Sequence, residues 1–289
     1  MTILVTGSIG KISSRVASQL QSLSLPILVA TRRSPSSIPF PAVTFDWVDK
    51  STYEAPFKHD ISAVFIVPPE IQEPAPYVNA FIDVAIAHGV KKYVLNAGTS
   101  AAKDGPFVGP VWSYLDTLAT SKNIEFAVLR PTWFNENFSE LQHQQTIKES
   151  SVFYSAAEDG KMPFIGADDI AAAGVAFLAG QKPYENKDHV LLGPQLLTHD
   201  EVAKVFSEAL GREIRHERKD MQGMVKQYES VGLNALYANF LPYLEVTASQ
   251  GSQEELFVAG LDETEKLLGR KGINFKDWVQ REKSKGYWG

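Results

Sequence analysis

Short apolar runs alternate with helical patterns through the first half of the chain. Ile3-Leu4-Val5, Ile27-Leu28-Val29-Ala30, Ala42-Val43-Thr44-Phe45, Ala63-Val64-Phe65-Ile66-Val67, Tyr93-Val94-Leu95 and Glu125–Leu129 read as strands. Between them, apolar residues recur three and four apart. Ile12, Val16, Leu20 and Leu23 form one such face. Val78, Phe81, Ile82, Ala85 and Ile86, closed by Gly89, form a second, and Leu115, Leu118 and Ala119 a third. That spacing predicts helices. Uninterrupted Val/Ile/Leu strands separated by helices predict an α/β fold with a doubly wound parallel sheet covered on both faces. Ligands of such folds bind beyond the carboxyl ends of the strands.

The second half reads differently. Val152–Tyr154 and His189–Leu192 are short strands that either return to the main sheet or form a small one. Asp168-Asp169 opens a helix around Ile170–Leu178, where a helix-capping pair is the simplest reading. Thr198-His199-Asp200-Glu201 has the capping-box pattern ahead of Val202, Val205, Phe206 and Leu210, with Gly211 as the stop. Beyond about residue 220 the pattern is mostly helical. The expected organisation is a nucleotide-binding core over 1–150 and a smaller, mostly helical substrate lobe over 151–289.

Composition narrows the function classes. Of 289 residues, 44% are hydrophobic and 21% charged, which is globular. The net charge of −6 argues against nucleic acid or an anionic membrane as partner. With no cysteine, disulfides, thiolate metal sites and a cysteine nucleophile are excluded. The six histidines show no helical ligand spacing, so no metal site is expected. No signal-like segment or long apolar run stands out, and the expected location is cytoplasmic.

The first strand ends in Thr6-Gly7-Ser8-Ile9-Gly10-Lys11-Ile12-Ser13. Gly7 suits a tight turn, and Gly10 allows close approach of a pyrophosphate to the next helix N-terminus. Thr6, Lys11 and Ile12 flank that contact. Ser13 stands where a third glycine would fall and is small enough for helix–strand packing. The second strand ends in Ala30-Thr31-Arg32-Arg33-Ser34. An NAD site usually carries an acid there. A guanidinium instead matches a 2′-phosphate, so Arg32 and Arg33 point to NADP(H). Asp46 and Trp47, after the third strand, are candidates for the adenine end. Val67 and Pro68, after the fourth, suit a backbone wall beside the cofactor.

These features sit together with Leu129-Arg130-Pro131-Thr132-Trp133-Phe134-x-Glu136-Asn137-Phe138 and Gly193-Pro194-x-Leu196-Leu197-Thr198. The combination resembles the NmrA-like atypical short-chain dehydrogenases. Within them it is most similar to the fungal festuclavine/agroclavine dehydrogenase group of ergot alkaloid biosynthesis. The resemblance implies a Rossmann fold, NADP(H), and reduction of a cyclic iminium in a small alkaloid-like substrate. It places Gly7, Gly10 and Arg32 at the cofactor phosphates. It puts Pro131, Trp133 and Phe134 on the loop near the nicotinamide.

Typical short-chain dehydrogenases use Ser with Tyr-x-x-x-Lys. Here Tyr114 is followed by Leu118, and Lys122 lies two turns away. Carbonyl reduction would need that proton donor, whereas hydride addition to C=N⁺ gives a neutral amine without one. Asn96, Thr99 and Tyr114 are the remaining catalytic candidates. Trp112, Tyr114, Phe134 and Asn137 are the pocket candidates. Asn96-Ala97-Gly98-Thr99 departs from the Ser-rich segment of the ergot enzymes, and Trp112 and Tyr114 replace histidines. Two alternatives stay open: a non-redox cyclase or isomerase on the same fold, and a non-enzymatic NADP-sensing regulator of the NmrA type.

Overall fold

The computed structural model describes residues 1–289. Strands β1 (Thr2–Val5), β2 (Ile27–Thr31), β3 (Ala42–Thr44), β4 (Ile61–Ile66), β5 (Lys92–Asn96) and β6 (Glu125–Pro131) follow the predicted order. β7 (Val152–Ser155), β8 (Lys187–Leu191) and β9 (Arg215–Arg218) come later. The main sheet has seven strands in the order β3-β2-β1-β4-β5-β6-β8. β1 pairs in parallel with β2 and β4, and parallel pairing continues to β3 on one side and through β5 to β6 on the other. The chain therefore reverses its winding between β1 and β4, which opens a crevice at the ends of those two strands.

Helices α1 (Lys11–Ser22), α2 (Ala75–Ala87), α3 (Gly109–Lys122), α4 (Gln144–Ser150) and α5 (Ala167–Leu178) alternate with the strands. One sheet face, with Leu4, Leu28, Val64, Ile66, Leu95 and Val128, packs on α2 and α3 through Val78, Phe81, Ile82, Val111, Leu115 and Leu118. α1 packs against α5. The α1 face is Ile12, Val16 and Leu20; Leu23, expected on that face, is 47% exposed because the helix ends there. Arg15 of α1 pairs with Asp168 of α5 at 3.0 Å, and Gln19 donates to the Asp168 carbonyl. Gly174 lets α5 lie close on the sheet: a Cβ there would sit 2.9 Å from the Phe65 ring.

The chain forms two compact units. One comprises Met1–Arg130 and Ala167–His189, the other Pro131–Gly166 and Val190–Gly289. The division falls after Arg130 rather than at the expected 150. The first unit ends its continuous run at the carboxyl end of β6 and then takes back α5 and the first part of β8. β7 does not return to the main sheet but pairs in parallel with β9, whereas β8 extends the sheet beside β6.

The second unit is helical and aromatic. It contains α6 (His199–Leu210), α7 (Met221–Ser230), α8 (Ala235–Ser249), α9 (Ser252–Val258), α10 (Thr264–Leu268) and α11 (Phe275–Lys283). Its core gathers Phe138, Phe153, Phe164, Phe206, Phe275, Trp278 and Trp288. The capping box of α6 forms as the sequence predicts, with Thr198 and Glu201 satisfying each other's backbone N–H, and Gly211 closing the helix at φ 68°. Gly193 approaches the Phe164 carbonyl so closely that a Cβ would lie 1.7 Å from its oxygen, which explains a glycine in the Gly193-Pro194 segment. No helix is long and apolar enough to cross a membrane.

Candidate functional site

The crevice side of the first unit is built on Gly7. Its φ of 86° is a left-handed conformation, and a Cβ there would lie 2.5 Å from Ser13 Oγ and 2.9 Å from Val67 Cβ. Ser13 is buried and donates to the Thr6 carbonyl at 2.7 Å, so α1 is drawn onto β1 where a third glycine would otherwise be needed. The Thr6 hydroxyl accepts from the Val67 N–H and approaches the Phe65 carbonyl. It ties the ends of β1 and β4 together. Gly10 then caps α1 with extended backbone and no side chain. α1 has no acid in its first turn and no side-chain cap. Its first N–H groups and positive dipole end, at Lys11 and Ile12, are thus not compensated by an acid or cap of the helix itself.

The end of β2 carries no acid. Arg32 and Arg33 are exposed and form no ion pair, and their backbone is held by the Arg33 N–H bonding Thr31 Oγ1 at 3.0 Å. Two long cations with no carboxylate partner suit an anion that the protein itself does not supply. Asp46 is half-buried, and one of its oxygens accepts the Val48 N–H at 3.1 Å in a turn. Trp47 is 8% exposed, its ring packed edge-on against Phe45 and Phe81 in the core. Val67 and Pro68 stand at the end of β4, with Val67 against Gly7.

The catalytic candidates separate clearly. Tyr114 lies on α3, and its hydroxyl donates to Asp83 of α2. Burial, with that hydrogen bond, pushes the phenol up to about 12. The Tyr114 hydroxyl is therefore engaged between α3 and α2. The Trp112 ring is also buried, and the Arg130 guanidinium sits 5.8 Å from its centroid. The face of Trp112 thus meets a cation of the protein itself. Arg130 further bonds Asp188 at 2.7 Å and the Thr99 carbonyl at 2.8 Å, fixing the loop after β5. Asn96, at the end of β5, keeps a buried Oδ1 with no partner. An unpaired buried acceptor is costly, and it marks Asn96 as the candidate with unused hydrogen-bonding capacity.

Pro131, Trp133, Phe134 and Asn137 belong to the second unit. Trp133 packs on the aromatic core, and its carbonyl accepts the Ile165 N–H at 2.9 Å. Phe134 opens the turn over Asn135–Asn137 and bridges to Ile165. Buried Glu136 accepts the Trp278 indole N–H at 3.0 Å, giving the Glu136-x-Phe138 part of the motif a structural role. Asn137 is 8% exposed. The same unit holds a network that sequence spacing conceals. Ser155 Oγ lies 2.8 Å from His216 Nε2, and His216 Nδ1 lies 2.7 Å from Asp200. The order is that of a nucleophile, base and orienting acid. Ser155 is fully buried and also accepts the Ala157 N–H, so no substrate reaches it and the relay is structural. His199 stacks on His216 with centroids 5.2 Å apart. These groups come from three elements, β7, α6 and β9, well separated in the chain, which leaves no local signal.

The sheet order and the two-glycine turn define a Rossmann-like nucleotide-binding fold. The NmrA-like family model matches residues 1–271, and this chain belongs to that family. It is 37% identical over 291 residues to the agroclavine dehydrogenase of Claviceps fusiformis, covering 98% of each chain. It is 34% identical over 298 residues to a festuclavine dehydrogenase of Aspergillus fumigatus, covering 99% of each. Among solved structures it is similar to the Escherichia coli NADPH-dependent quinone oxidoreductase QOR2 in complex with NADPH. That match has a TM-score of 0.76 at 22% identity, over 97% of this chain and 99% of the other.

Proposed function

We propose that this protein is an NADPH-dependent reductase of a cyclic imine or iminium in fungal indole-alkaloid metabolism. The observation that carries the cofactor half is the pair of unpartnered arginines, Arg32 and Arg33, at the end of β2, in line with the glycine cradle after β1. Gly7, Gly10 and the uncapped start of α1 would hold the pyrophosphate, and Arg32, supported by Arg33, the 2′-phosphate. Val67 and Pro68 would flank the dinucleotide, and Asp46 the adenine. Bound NADPH supplies a hydride, and its addition to a C=N⁺ carbon gives a neutral amine with no oxyanion to protonate.

The substrate half is supported by what Tyr114 does. Its hydroxyl is committed to Asp83 and held neutral, and Leu118 occupies the position of the missing lysine. A reaction that needs no side-chain acid fits that arrangement, and relatives of this chain are named as agroclavine and festuclavine dehydrogenases. Asn96 would then orient a donor of the bound ligands through Oδ1.

Two measurements test the reading. Stereospecifically deuterated NADPH, incubated with candidate cyclic iminium substrates, should deliver one deuterium to the former C=N carbon. Substrate turnover with no label transfer and no NADPH consumption would favour the cyclase reading instead. Arg32→Glu should raise the Kd for NADPH roughly 100-fold while leaving that for NADH within about threefold, since charge-assisted phosphate contacts are lost and inverted. An equal effect on both cofactors would sink the 2′-phosphate assignment.

A further inference from the structure

The glycine turn and the arginine segment meet at one hydroxyl. Ser8 follows Gly7 in a left-handed conformation, φ 56°, and its N–H donates to the Ala30 carbonyl at 3.1 Å. Its Oγ lies 2.8 Å from Thr31 Oγ1. Thr31 is the last residue of β2 and is 1% exposed. The same Oγ1 accepts the Arg33 N–H at 3.0 Å, closing a hydroxyl turn over Arg32. Ladder pairing with β3 ends at Thr31↔Thr44, and the next ordered turn starts only at Pro35. The Thr31 hydroxyl therefore supplies the hydrogen bond that fixes the backbone from which Arg32 and Arg33 project.

We propose that Thr31 is a positioning residue for cofactor choice. It holds the Arg32–Arg33 segment in register with the pyrophosphate turn and so sets the preference for a dinucleotide carrying a 2′-phosphate. This rests on the NADP(H) reading above. Arginine side chains lose rotamer freedom when they grip a phosphate, and a fixed backbone lowers the ordering cost. Ser8 shares only the turn half of the arrangement, which both dinucleotides use. Thr31 serves both halves, so its loss falls more heavily on the phosphorylated cofactor.

The test uses the full-length protein and equilibrium titration with NADPH and NADH, with a thermal melt of each variant. Thr31→Val keeps the branched volume and strand preference. Arg33 is exposed and Ser8 half-buried, so water can meet the released N–H and hydroxyl, and the fold is expected to be retained. The ratio of the NADH Kd to the NADPH Kd should fall about five- to tenfold in Thr31→Val, the equivalent of about one hydrogen bond. Thr31→Ser, which keeps the hydroxyl, should restore the ratio to within about twofold on the same scale. Ser8→Ala should weaken both cofactors by a similar factor and leave the ratio unchanged. A Thr31→Val protein that loses both cofactors equally, or keeps the wild-type ratio, overturns the proposal. A wild-type protein that binds the two cofactors equally overturns the cofactor reading itself, and the proposal with it, before any variant is made.

Discussion

Gly7→Ala is expected to weaken NADPH binding by about 100-fold or more, and Gly89→Ala to leave it unchanged. The two glycines share a left-handed backbone, with φ of 86° and 85°. They differ in surroundings. A Cβ at position 89 meets nothing within 4 Å, so that variant carries only the local conformational cost, about 1–2 kcal/mol. A Cβ at position 7 meets Ser13 Oγ and Val67 Cβ as well. Relief requires α1 to retreat from β1 or β4 to shift, and either movement takes the Lys11–Ile12 amides out of line with the turn. Overpacking of this kind adds about 1–3 kcal/mol to the backbone strain. Fluorescence titration of both variants, each checked by a thermal melt, separates loss of the cradle from loss of the fold. Binding by Gly7→Ala within twofold of wild type would refute the cradle.

The second large effect expected is a stability maximum near neutral pH, set by buried groups in the second unit. His143 is buried and its pKa is lowered to about 3, by desolvation first and by His216 second. His199 is lowered in the same way, and His216 is lowered by burial despite its bond to Asp200. These imidazoles are neutral when folded but protonate near 6.5 when unfolded. Their contribution is intact above 6.5 and is lost as pH falls from there towards 3. Glu245 has the opposite sense. Burial raises its carboxyl to about 7, against Tyr228 and the Ala156 N–H, which bind it. Its contribution is intact below 4.5 and is lost as pH rises through 7. Between 4.5 and 6.5 three histidines outweigh one acid, so stability climbs with pH by a few kcal/mol. From 6.5 to about 7 Glu245 alone titrates and stability falls slightly; above that neither set of groups adds a slope. Urea denaturation across this range checks the shape. Glu245→Gln should steepen the limb between 4.5 and 6.5 and remove the small fall from 6.5 to about 7, whereas a flat wild-type profile would contradict the account.

Much of the first unit is legible in the chain because its signals are local. Each strand is a continuous apolar run, each helix an apolar stripe, and the glycine turn and arginines follow directly on strand ends. What the chain does not carry is direction in space. Tyr114 sits next to Trp112 and Leu115 in sequence, but helix pitch turns it towards Asp83. Trp47 looks like a loop aromatic because it follows a strand. It is buried because Phe45, Tyr53 and Phe81 close around it. The boundary at Arg130 and the Ser155–His216–Asp200 relay depend on residues brought together from far apart in the chain, and periodicity carries no information about such pairs.

The return of residues 167–189 to the first unit has a consequence for synthesis. A nascent chain halted at 150 lacks α5, which packs on α1, and lacks the strand beside β6. The unit that begins at Met1 therefore cannot close until about 190 residues have emerged, roughly 10–40 s into translation at ordinary rates. During that interval the α1 face and the edge of β6 are uncovered, and a chaperone has its longest window there. Proteolysis of stalled chains should accordingly cut within the first 130 residues until α5 has docked.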